Sequence, residues 1–562
     1  MTGKFSGADR QSKLARMEQE IYDVLIIGGG ITGAGIALDA GTRGMKTALI
    51  EMQDFAAGTS SRSTKLVHGG LRYLKQFEVK MVAEVGKERA VVYENGPHVT
   101  TPEWMLLPLY EGGTFGKFST SIGLRVYDFL AGVKREERRR MLSREATLGK
   151  EPLLRKEGLK GGGYYVEYRT DDARLTIEVL KKAAEAGAHA VNYAKAEQLI
   201  YDEGGKLGGV VARDVIGGKE YRIRARKVVN ATGPWVDTLR GLDRSKEGKT
   251  LRLTKGVHLV FDGRRFPLRQ AIYFDTPDGR MVFAIPRDGK TYVGTTDTDY
   301  AGDTAHPRMN EEDRDYLLAA ANHLFPGLKL TAADVESSWA GLRPLIYEEG
   351  KSPSEVSRRD EIFVSPSGMI TIAGGKLTGY RKMAETVADL LAVELQAEGR
   401  GPYAPCATRT LPISGGDVGG SAGFPAFVRK MAEEGERDGL LPLTAEQLVR
   451  RYGSNVATVY DLIRAERERE DAHGFPAELR AMLRYAIEEE MAVKPVDFFI
   501  RRTGAMFFDI DWVRRWKDQS VRYMAERLGW GGEQTQEYAE ELERELAAAY
   551  SPSEEAVGVG AH

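Results

Sequence analysis

The hydrophobic positions near the start of the chain fall into a strand-like run, a helix-like segment and a second strand-like run. Val24–Ile27 is a short apolar, β-branched run of the kind found in buried parallel strands. Ile31–Ala40 has helical composition, and Lys46–Ile50 is another apolar run, which ends at Glu51. This order predicts a βαβ unit, and the rest of the chain is organised around it.

Three glycines fill the turn between the first strand and the helix. Gly28, Gly30 and Gly33 have the G-x-G-x-x-G spacing that permits a tight turn, a close backbone approach to a pyrophosphate, and close packing of helix on strand. The helix N-terminus would present N–H groups to phosphates, and Glu51 stands where a carboxylate accepts hydrogen bonds from a ribose. An ordinary glycine-rich loop is the alternative. Because a carboxylate disfavours a 2′-phosphate, the unit predicts FAD or NAD rather than NADP.

Two later strands lead into similar turns. Lys227–Asn230 continues into Ala231–Trp235 (ATGPW), and a hairpin predicted over Asp360–Ile372 continues into Ala373–Leu391, which begins AGGKLTGYRK. Glycine turns at three strand ends indicate one cofactor domain assembled from separate pieces of the chain. Such an arrangement leaves a crevice where a ligand can meet the cofactor.

The segments between and after these turns predict two further domains. Leu251–Asp299 consists of short alternating runs separated by turn signals, which predicts a mostly antiparallel sheet. A Gly/Pro-rich stretch near Gly401–Gly423 precedes a helical region, in which Thr444 and Gln447 have capping-box spacing and Asp511–Leu528 is amphipathic with Gly529 as a stop. We therefore predict an α/β fold in three parts: a discontinuous cofactor domain (21–90, 160–240 and 345–400), an inserted β-rich substrate domain (91–159 and 241–344) and an all-α C-terminal domain (410–550).

Composition narrows the class of protein. A chain of 562 residues is too long for a single core, and a formal net charge of −2 provides no basic field for nucleic acid. The single cysteine, Cys406, excludes an internal disulfide framework, and no histidine pattern calls for a metal. Val24–Leu38 is too short to span a bilayer, and acidic residues precede it where a signal peptide has positive charge. We expect a cytoplasmic protein.

Two stretches carry basic groups. Phe55–Leu74 is rich in Ser, Thr and Gly and includes Arg72, which suits a loop around a phosphate-bearing ligand; a solvated Ser/Thr loop is the alternative. Lys134–Arg140 (KREERRR) follows apolar residues at helical spacing within Thr114–Leu142. That segment is compatible with docking on anionic lipid, but the sequence favours a packed helix with a solvated charged end.

Six motifs occur in order along the chain: TSSRSTKLVHGGLRYL, VNATGPWVD, TKGVHLVF, VGTTDTD, GLRPL and GGKLTGYRKMAE. As a set they resemble the FAD-dependent, aerobic glycerol-3-phosphate dehydrogenase family, from about Tyr22 to Leu391 and more weakly beyond. The resemblance implies FAD and a Rossmann-like fold of the glutathione-reductase/D-amino-acid-oxidase type. It also implies oxidation of sn-glycerol 3-phosphate to dihydroxyacetone phosphate by hydride transfer to flavin. Electrons would pass to a quinone, with the protein peripheral on the inner face of the cell membrane.

The same resemblance assigns the site residues. Arg72, Tyr73, Thr295 and Arg358 match the family's substrate contacts; Arg359 adjoins Arg358 and makes that assignment the least certain. His258, Arg343 and Lys376 match positions in the reacting part of the pocket. The cofactor contacts follow from the glycine turns and their neighbouring loops: Gly28, Gly30, Gly33, Glu51, Ser60, Ser61, Thr64, Thr232, Gly233, Gly374, Gly375, Leu377 and Thr378.

The pattern of residue types agrees with this chemistry. A phosphorylated substrate is a dianion and needs cations at fixed positions. We predict that His258 accepts the C2 hydroxyl proton, since the pKa of histidine suits that task near neutral pH; a hydrogen-bonded structural histidine is the alternative. Arg343 or Lys376 would then stabilise the developing alkoxide.

Three other functions compete with this one. An oxidase of the same family would pass electrons to oxygen and form hydrogen peroxide, although the mid-chain insertion typical of such oxidases is not evident. A related flavoenzyme could act on an amine. Alternatively, the helical C-terminus, with Trp512, Trp516 and Trp530, could be a partner surface attached to a fold that only binds a nucleotide. The sequence leaves the electron acceptor, the general base and the oligomeric state open, including a homodimer.

Overall fold

A computed structural model describes residues 5–68, 79–113, 138–348, 360–469 and 474–553. Within these ranges the strands form two sheets, and the C-terminal part is helical. This confirms the predicted α/β class with an antiparallel second sheet and a helical C-terminus.

The first sheet has eight of the described strands and a parallel centre. In the order β17-β18-β10-β1-β2-β7, strand β1 pairs in parallel with β10 and β2, so that Ile27 lies opposite both Asn230 and Ile50. The β8–β9 hairpin joins β10 as an antiparallel extension. Its strands are β1 Ile21–Ile27, β2 Thr47–Ile50, β7 His189–Val191, β8 Ala194–Tyr201, β9 Leu207–Asp214, β10 Glu220–Asn230, β17 Glu361–Val364 and β18 Ile370–Ala373.

The second sheet has ten of the described strands and is mostly antiparallel. Its order is β15-β11-β14-β13-β12-β4-β6-β3, with β16 paired to β11 and β5 to β6; β12 and β4 are parallel. Its strands are β3 Leu66–Val67, β4 Thr100–Tyr110, β5 Arg140–Leu142, β6 Leu159–Thr170, β11 Lys249–Asp262, β12 Ala271–Asp275, β13 Met281–Arg287, β14 Lys290–Gly294, β15 Thr298–Asp299 and β16 Val335–Glu348.

Strand β6 differs from the predicted division of the chain. It falls almost wholly within the segment 160–240 assigned to the cofactor domain, yet it belongs to the second sheet. The reason is its pairing with β4, which runs from Thr100 opposite Thr170 to Tyr110 opposite Leu159. The helix Asp172–Glu185 that follows returns to the first sheet and packs on the helix Ile31–Thr42.

Helices pack on both sheets and form the C-terminal region. Among the described residues, the α-helices outside the C-terminal region are Arg10–Gln19, Ile31–Thr42, Val79–Asn95, Arg144–Lys150, Asp172–Glu185, Val236–Leu242, Glu311–Leu324 and Tyr380–Ala397. The C-terminal helices are Gly420–Arg437, Pro442–Tyr452, Val456–Arg467, Ala477–Glu490, the π-helix Asp497–Arg502, Ala505–Phe508, Ile510–Leu528 and Gly532–Tyr550. No helix in the part of the chain described here combines the length and apolarity needed to cross a bilayer.

Two C-terminal predictions can be compared with the structure. The helix Ile510–Leu528 ends at Gly529, which has φ +69°, as the sequence predicts. The capping box at Thr444 is wrong: the helix begins at Pro442 and its N-cap, Leu441, makes no side-chain hydrogen bond. Proline at the first helical position fixes φ and lacks the N–H that a cap would otherwise satisfy.

Candidate active site

A cavity of about 810 Å³ lies at the carboxyl ends of β1, β10 and β18. All three predicted glycine turns line it, because the parallel strands that precede them end at the same edge of the sheet. The predicted cofactor residues on its wall are Gly28, Gly30, Glu51, Ser60, Thr232, Gly233, Gly374, Gly375 and Leu377.

The first turn leaves no room for side chains. Gly28 has φ +114°, and a Cβ atom there would lie 2.5 Å from the carbonyl oxygen of Ala231. A Cβ on Gly33 would lie 1.9 Å from the carbonyl oxygen of Gly28, so Gly33 sets the distance between helix and strand without itself lining the cavity. A Cβ on Gly30 would lie 3.0 Å from Ser60 Oγ. The turn is therefore a bare-backbone cradle of the kind that binds a pyrophosphate.

Glu51 is held by two backbone groups at the end of β2. Its Oε2 accepts a hydrogen bond from the N–H of Gly29 at 2.7 Å, and its Oε1 accepts one from the N–H of Gln53 at 2.8 Å. Burial raises the pKa of Glu51, and these two N–H groups oppose that shift. The carboxylate is thus fixed at the cavity wall, where it can accept hydrogen bonds from a ribose.

The hydroxyl residues of the loop 58–64 have different surroundings. Ser60 Oγ accepts a hydrogen bond from the N–H of Ile31 at 2.9 Å, which places it at the N-terminus of the helix Ile31–Thr42. Ser61 is buried, and its hydroxyl has no hydrogen-bond partner among the residues described here. Thr64 lines a second cavity instead, where its Oγ1 lies 3.0 Å from His258 Nε2.

That second cavity, of about 310 Å³, opens beside the first one. The residues that line both are Thr59, Ser63, Pro344, Gly374, Gly375, Lys376 and Leu377. The two cavities therefore meet at the turn Gly374–Leu377, which follows β18. A ligand in the second cavity would contact one end of a cofactor that lies in the first.

His258, on β11, forms part of the second cavity's wall. Its ring is 2% exposed and stacks on Trp339 with 4.7 Å between ring centroids and 10° between planes. Burial, followed by the charges of Arg343 and Lys65, lowers the pKa of His258 well below its usual 6.5. The imidazole is therefore neutral at physiological pH.

Arg343, Thr295 and Lys376 also line the second cavity. Arg343 lies on β16 opposite Thr254 of β11, and its Nη1 is 3.1 Å from Asp297 Oδ1. The Arg343 side chain is 37% exposed, so this ion pair is partly screened by solvent. Thr295 Oγ1 donates to the carbonyl oxygen of Thr296 at 3.0 Å.

The structure adds residues that the sequence assignment missed. His68 lies in the second cavity, where Thr378 Oγ1 accepts from its N–H at 3.1 Å and donates to its carbonyl oxygen at 3.2 Å. Burial and the charges of Lys376 and Arg343 lower the pKa of His68 to about 3. Tyr273 and Phe283, stacked with 4.3 Å between centroids, form an aromatic wall. His68 stands inside a quoted motif, whereas no local pattern marks Tyr273 or Phe283.

Three predicted substrate residues cannot be placed. Arg72, Tyr73 and Arg358 lie outside the described residues, so their assignment stays a prediction. The basic run Lys134–Arg140 lies mostly outside them as well.

Comparisons with known proteins agree with this arrangement. The model of the family described as FAD dependent oxidoreductase matches residues 23–381, and the model described as C-terminal domain of alpha-glycerophosphate oxidase matches residues 406–535. The aerobic glycerol-3-phosphate dehydrogenase of Bacillus subtilis (strain 168) is 62% identical over 99% of this chain and 100% of its own length. The chain belongs to the FAD-dependent, aerobic glycerol-3-phosphate dehydrogenase family. The enzyme of that name from Staphylococcus haemolyticus (strain JCSC1435) is 57% identical over 96% of each chain.

Solved structures extend the comparison. The glycerol-3-phosphate dehydrogenase from Bacillus halodurans complexed with FAD superposes with a TM-score of 0.85 at 52% identity, over 98% of this chain and all of that one. The L-alpha-glycerophosphate oxidase from Mycoplasma pneumoniae with FAD bound has a TM-score of 0.55 at 18% identity and covers 69% of this chain and 97% of its own, which shows a shared fold alone. FAD is the cofactor of this family, and the bare-backbone cradle with Glu51 at its end fits it. The predicted cofactor is thus confirmed.

Proposed function

We propose that this flavoenzyme oxidises sn-glycerol 3-phosphate at C2 to dihydroxyacetone phosphate in glycerol catabolism. One observation carries the proposal: a cavity of about 310 Å³ with cationic side chains meets the FAD cavity at Gly374–Leu377. Its size suits a three-carbon phosphate ester, and its cations suit a dianion. The names of the relatives supply the same substrate.

The chain's own residues would bind and orient the substrate. Arg343 and Lys376 supply positive charge for the phosphate and for the alkoxide that develops at C2. Arg72, Tyr73, Thr295 and Arg358 complete the proposed substrate contacts. Bound FAD supplies the two-electron acceptor, which is chemistry that no side chain provides.

His258 is the proposed acceptor of the C2 hydroxyl proton. Its Nε2 lies 3.0 Å from Thr64 Oγ1, and its Nδ1 is buried with no hydrogen-bond partner among the described residues. We assign proton acceptance to the neutral imidazole, because His258 lies in the wall of the second cavity. The lowered pKa of His258 keeps the imidazole unprotonated at physiological pH.

The absorption spectrum tests the substrate. The purified holoenzyme is expected to be yellow and to bleach when glycerol 3-phosphate is added without oxygen, because the flavin is reduced. Glycerol, which lacks the phosphate, is the matched control and should leave the spectrum unchanged. Bleaching by an amine and not by glycerol 3-phosphate would overturn the proposal.

We further propose that electrons leave to a quinone, with the enzyme peripheral on the inner face of the cell membrane. A family model named for an oxidase matches the C-terminal residues, so oxygen is the acceptor to test against. Peroxide yield and quinone-analogue reduction, measured side by side in one preparation, distinguish the two. Stoichiometric peroxide with little quinone reduction would make the enzyme an oxidase.

A further inference from the structure

A buried network of charges joins the C-terminal helices to the loop that follows Glu51. Asp54, which is completely buried, receives both ends of the Arg502 guanidinium: Nη1 donates to Oδ2 at 2.7 Å and Nη2 to Oδ1 at 2.9 Å. Arg501 also donates to Asp54 Oδ2 and, at 2.8 Å, to Asp497 Oδ1. These two arginines and Asp497 belong to the π-helix Asp497–Arg502.

Asp54 sits at the centre of a loop that forms one wall of the FAD cavity. Before it, Glu51 and Met52 line the cavity; after it, residues 57–60 do so. The carbonyl oxygen of Asp54 accepts from the N–H of Ala57 at 3.1 Å. The π-helix therefore anchors the middle of the loop, and cofactor-lining residues lie on both sides of the anchor.

The neighbouring wall of the cavity is tied to the same helices. Asn192 Nδ2 donates to Asp54 Oδ1 at 2.9 Å and to the carbonyl oxygen of Met491 at 3.0 Å. Tyr193 donates its hydroxyl to Asp497 Oδ1 at 2.6 Å. The chain then continues into residues 194–197, which line the cavity. Two separate segments of the cavity wall are thus hydrogen-bonded to the same π-helix.

Two arginines keep the buried carboxyl group of Asp54 ionised. Burial alone would raise the pKa of Asp54, but the charges and hydrogen bonds of Arg502 and Arg501 lower it to about 2. For Asp497, in contrast, burial and the charge of Asp54 raise the pKa. Breaking a buried pair of this kind leaves an uncompensated charge, so its effect reaches the loop.

We propose that the C-terminal helical domain positions the FAD-binding loop 52–58 through Arg502 and Asp54, and thereby determines how tightly FAD is held. Arg502 is a positioning residue, since it acts through Asp54. This gives the C-terminal domain a task at the cofactor site. The proposal concerns FAD alone and does not rest on the identity of the substrate.

The test compares Arg502→Met with Arg480→Met in the full-length protein. Arg480 is another buried arginine of the C-terminal helices, but it pairs with Glu466 and lines neither cavity. FAD is removed from each variant and titrated back, with flavin fluorescence as the readout. We expect the Kd for FAD to rise about tenfold more in Arg502→Met than in Arg480→Met.

Hydrogen exchange supplies a second readout. Backbone amides of residues 52–58 should exchange faster in FAD-free Arg502→Met and not in FAD-free Arg480→Met. Equal FAD affinities and equal exchange in the two variants would overturn the proposal. Should Arg502→Met not fold, the double variant Asp54→Leu/Arg502→Met removes both charges, leaves Arg501 paired with Asp497, and is judged by the same comparison.

Discussion

Gly294 lies directly opposite His258 across the β11–β14 pair. A Cβ there would lie 2.2 Å from His258 Cδ2, while Trp339 closes the other face of the ring. Gly294→Ala must therefore displace the imidazole. If His258 accepts the substrate proton, turnover should fall by as much as about 100-fold, as small misplacements of reacting groups can cause, while FAD content is kept.

Steady-state turnover and flavin absorbance check this result. Gly149→Ala is the matched control, because a Cβ at Gly149 meets nothing within 4 Å. Unchanged turnover in Gly294→Ala would mean that the position of the ring does not matter to the reaction.

Arg343→Ala tests whether substrate binding and cofactor binding depend on different side chains. It lines the second cavity and not the first. Arg343→Ala should raise the KM for glycerol 3-phosphate about tenfold to 100-fold, the range for losing a charge-assisted hydrogen bond of about 1.5–3 kcal/mol, and leave FAD content unchanged.

Arg252→Ala is the comparison for Arg343→Ala. Arg252 also lies in the β11–β16 pair and also pairs with an aspartate, Asp299, but it lines neither cavity. The KM of Arg252→Ala for glycerol 3-phosphate should match that of the unchanged enzyme. Comparable loss of FAD and of substrate affinity in Arg343→Ala would show that the arginine has a structural role.

The first turn and its helix act as one element. Gly33→Ala would push the helix Ile31–Thr42 away from β1, because the new Cβ would lie 1.9 Å from the carbonyl oxygen of Gly28. Gly41→Ala in the same helix meets its nearest atom at 3.5 Å and should be neutral or stabilising by about 0.5–1 kcal/mol. We expect loss of FAD in the first variant only, measured by flavin absorbance per mole of protein. FAD retained in Gly33→Ala would contradict the close-packing role.

Local patterns were sufficient for some elements and insufficient for others. The βαβ unit was predictable because strand, glycines, helix and Glu51 are contiguous in the sequence. The position of β6 in the second sheet was not, since its pairing with β4 joins residues as far apart as Thr100 and Thr170, which are 70 positions from each other. The π-helix at Asp497–Arg502 was missed because its arginines have meaning only opposite Asp54, which is 448 residues from Arg502.

The residues of the candidate site were also predictable only in part. His258, Arg343 and Lys376 come from different strands and turns, yet they line one cavity, and only the motif set linked them in advance. Ser61 and Gly33 were predicted to contact the cofactor, but neither lines the FAD cavity. Ser61 is buried, and Gly33 lies where the helix Ile31–Thr42 packs on β1. The spacing of the glycines predicts a turn, but which residues of the turn face the cavity depends on how the strands assemble into the sheet.

At the scale of the whole molecule, His68, His98 and His258 make the free energy of unfolding depend on pH. Burial and nearby cations lower the pKa of His68 and of His98 to about 3, and the pKa of His258 well below 6.5. In the unfolded chain each would titrate near its ordinary pKa of about 6.5. Below that pH the histidines bind protons in the unfolded state but not in the folded state. The stabilisation is therefore complete above about pH 6.5 and is lost as the pH falls.

His98 isolates this effect because it lines neither cavity. For each such histidine, the free energy of unfolding should be lower by about 1.4 kcal/mol at about pH 5.5 than at neutral pH. His98→Gln should therefore lose about 1.4 kcal/mol less than the unchanged protein between about pH 7.5 and pH 5.5. Urea unfolding of the FAD-saturated proteins at the two pH values measures this difference, and the comparison cancels any direct cost of the substitution. Equal losses would show that the folded protein accommodates a charged His98.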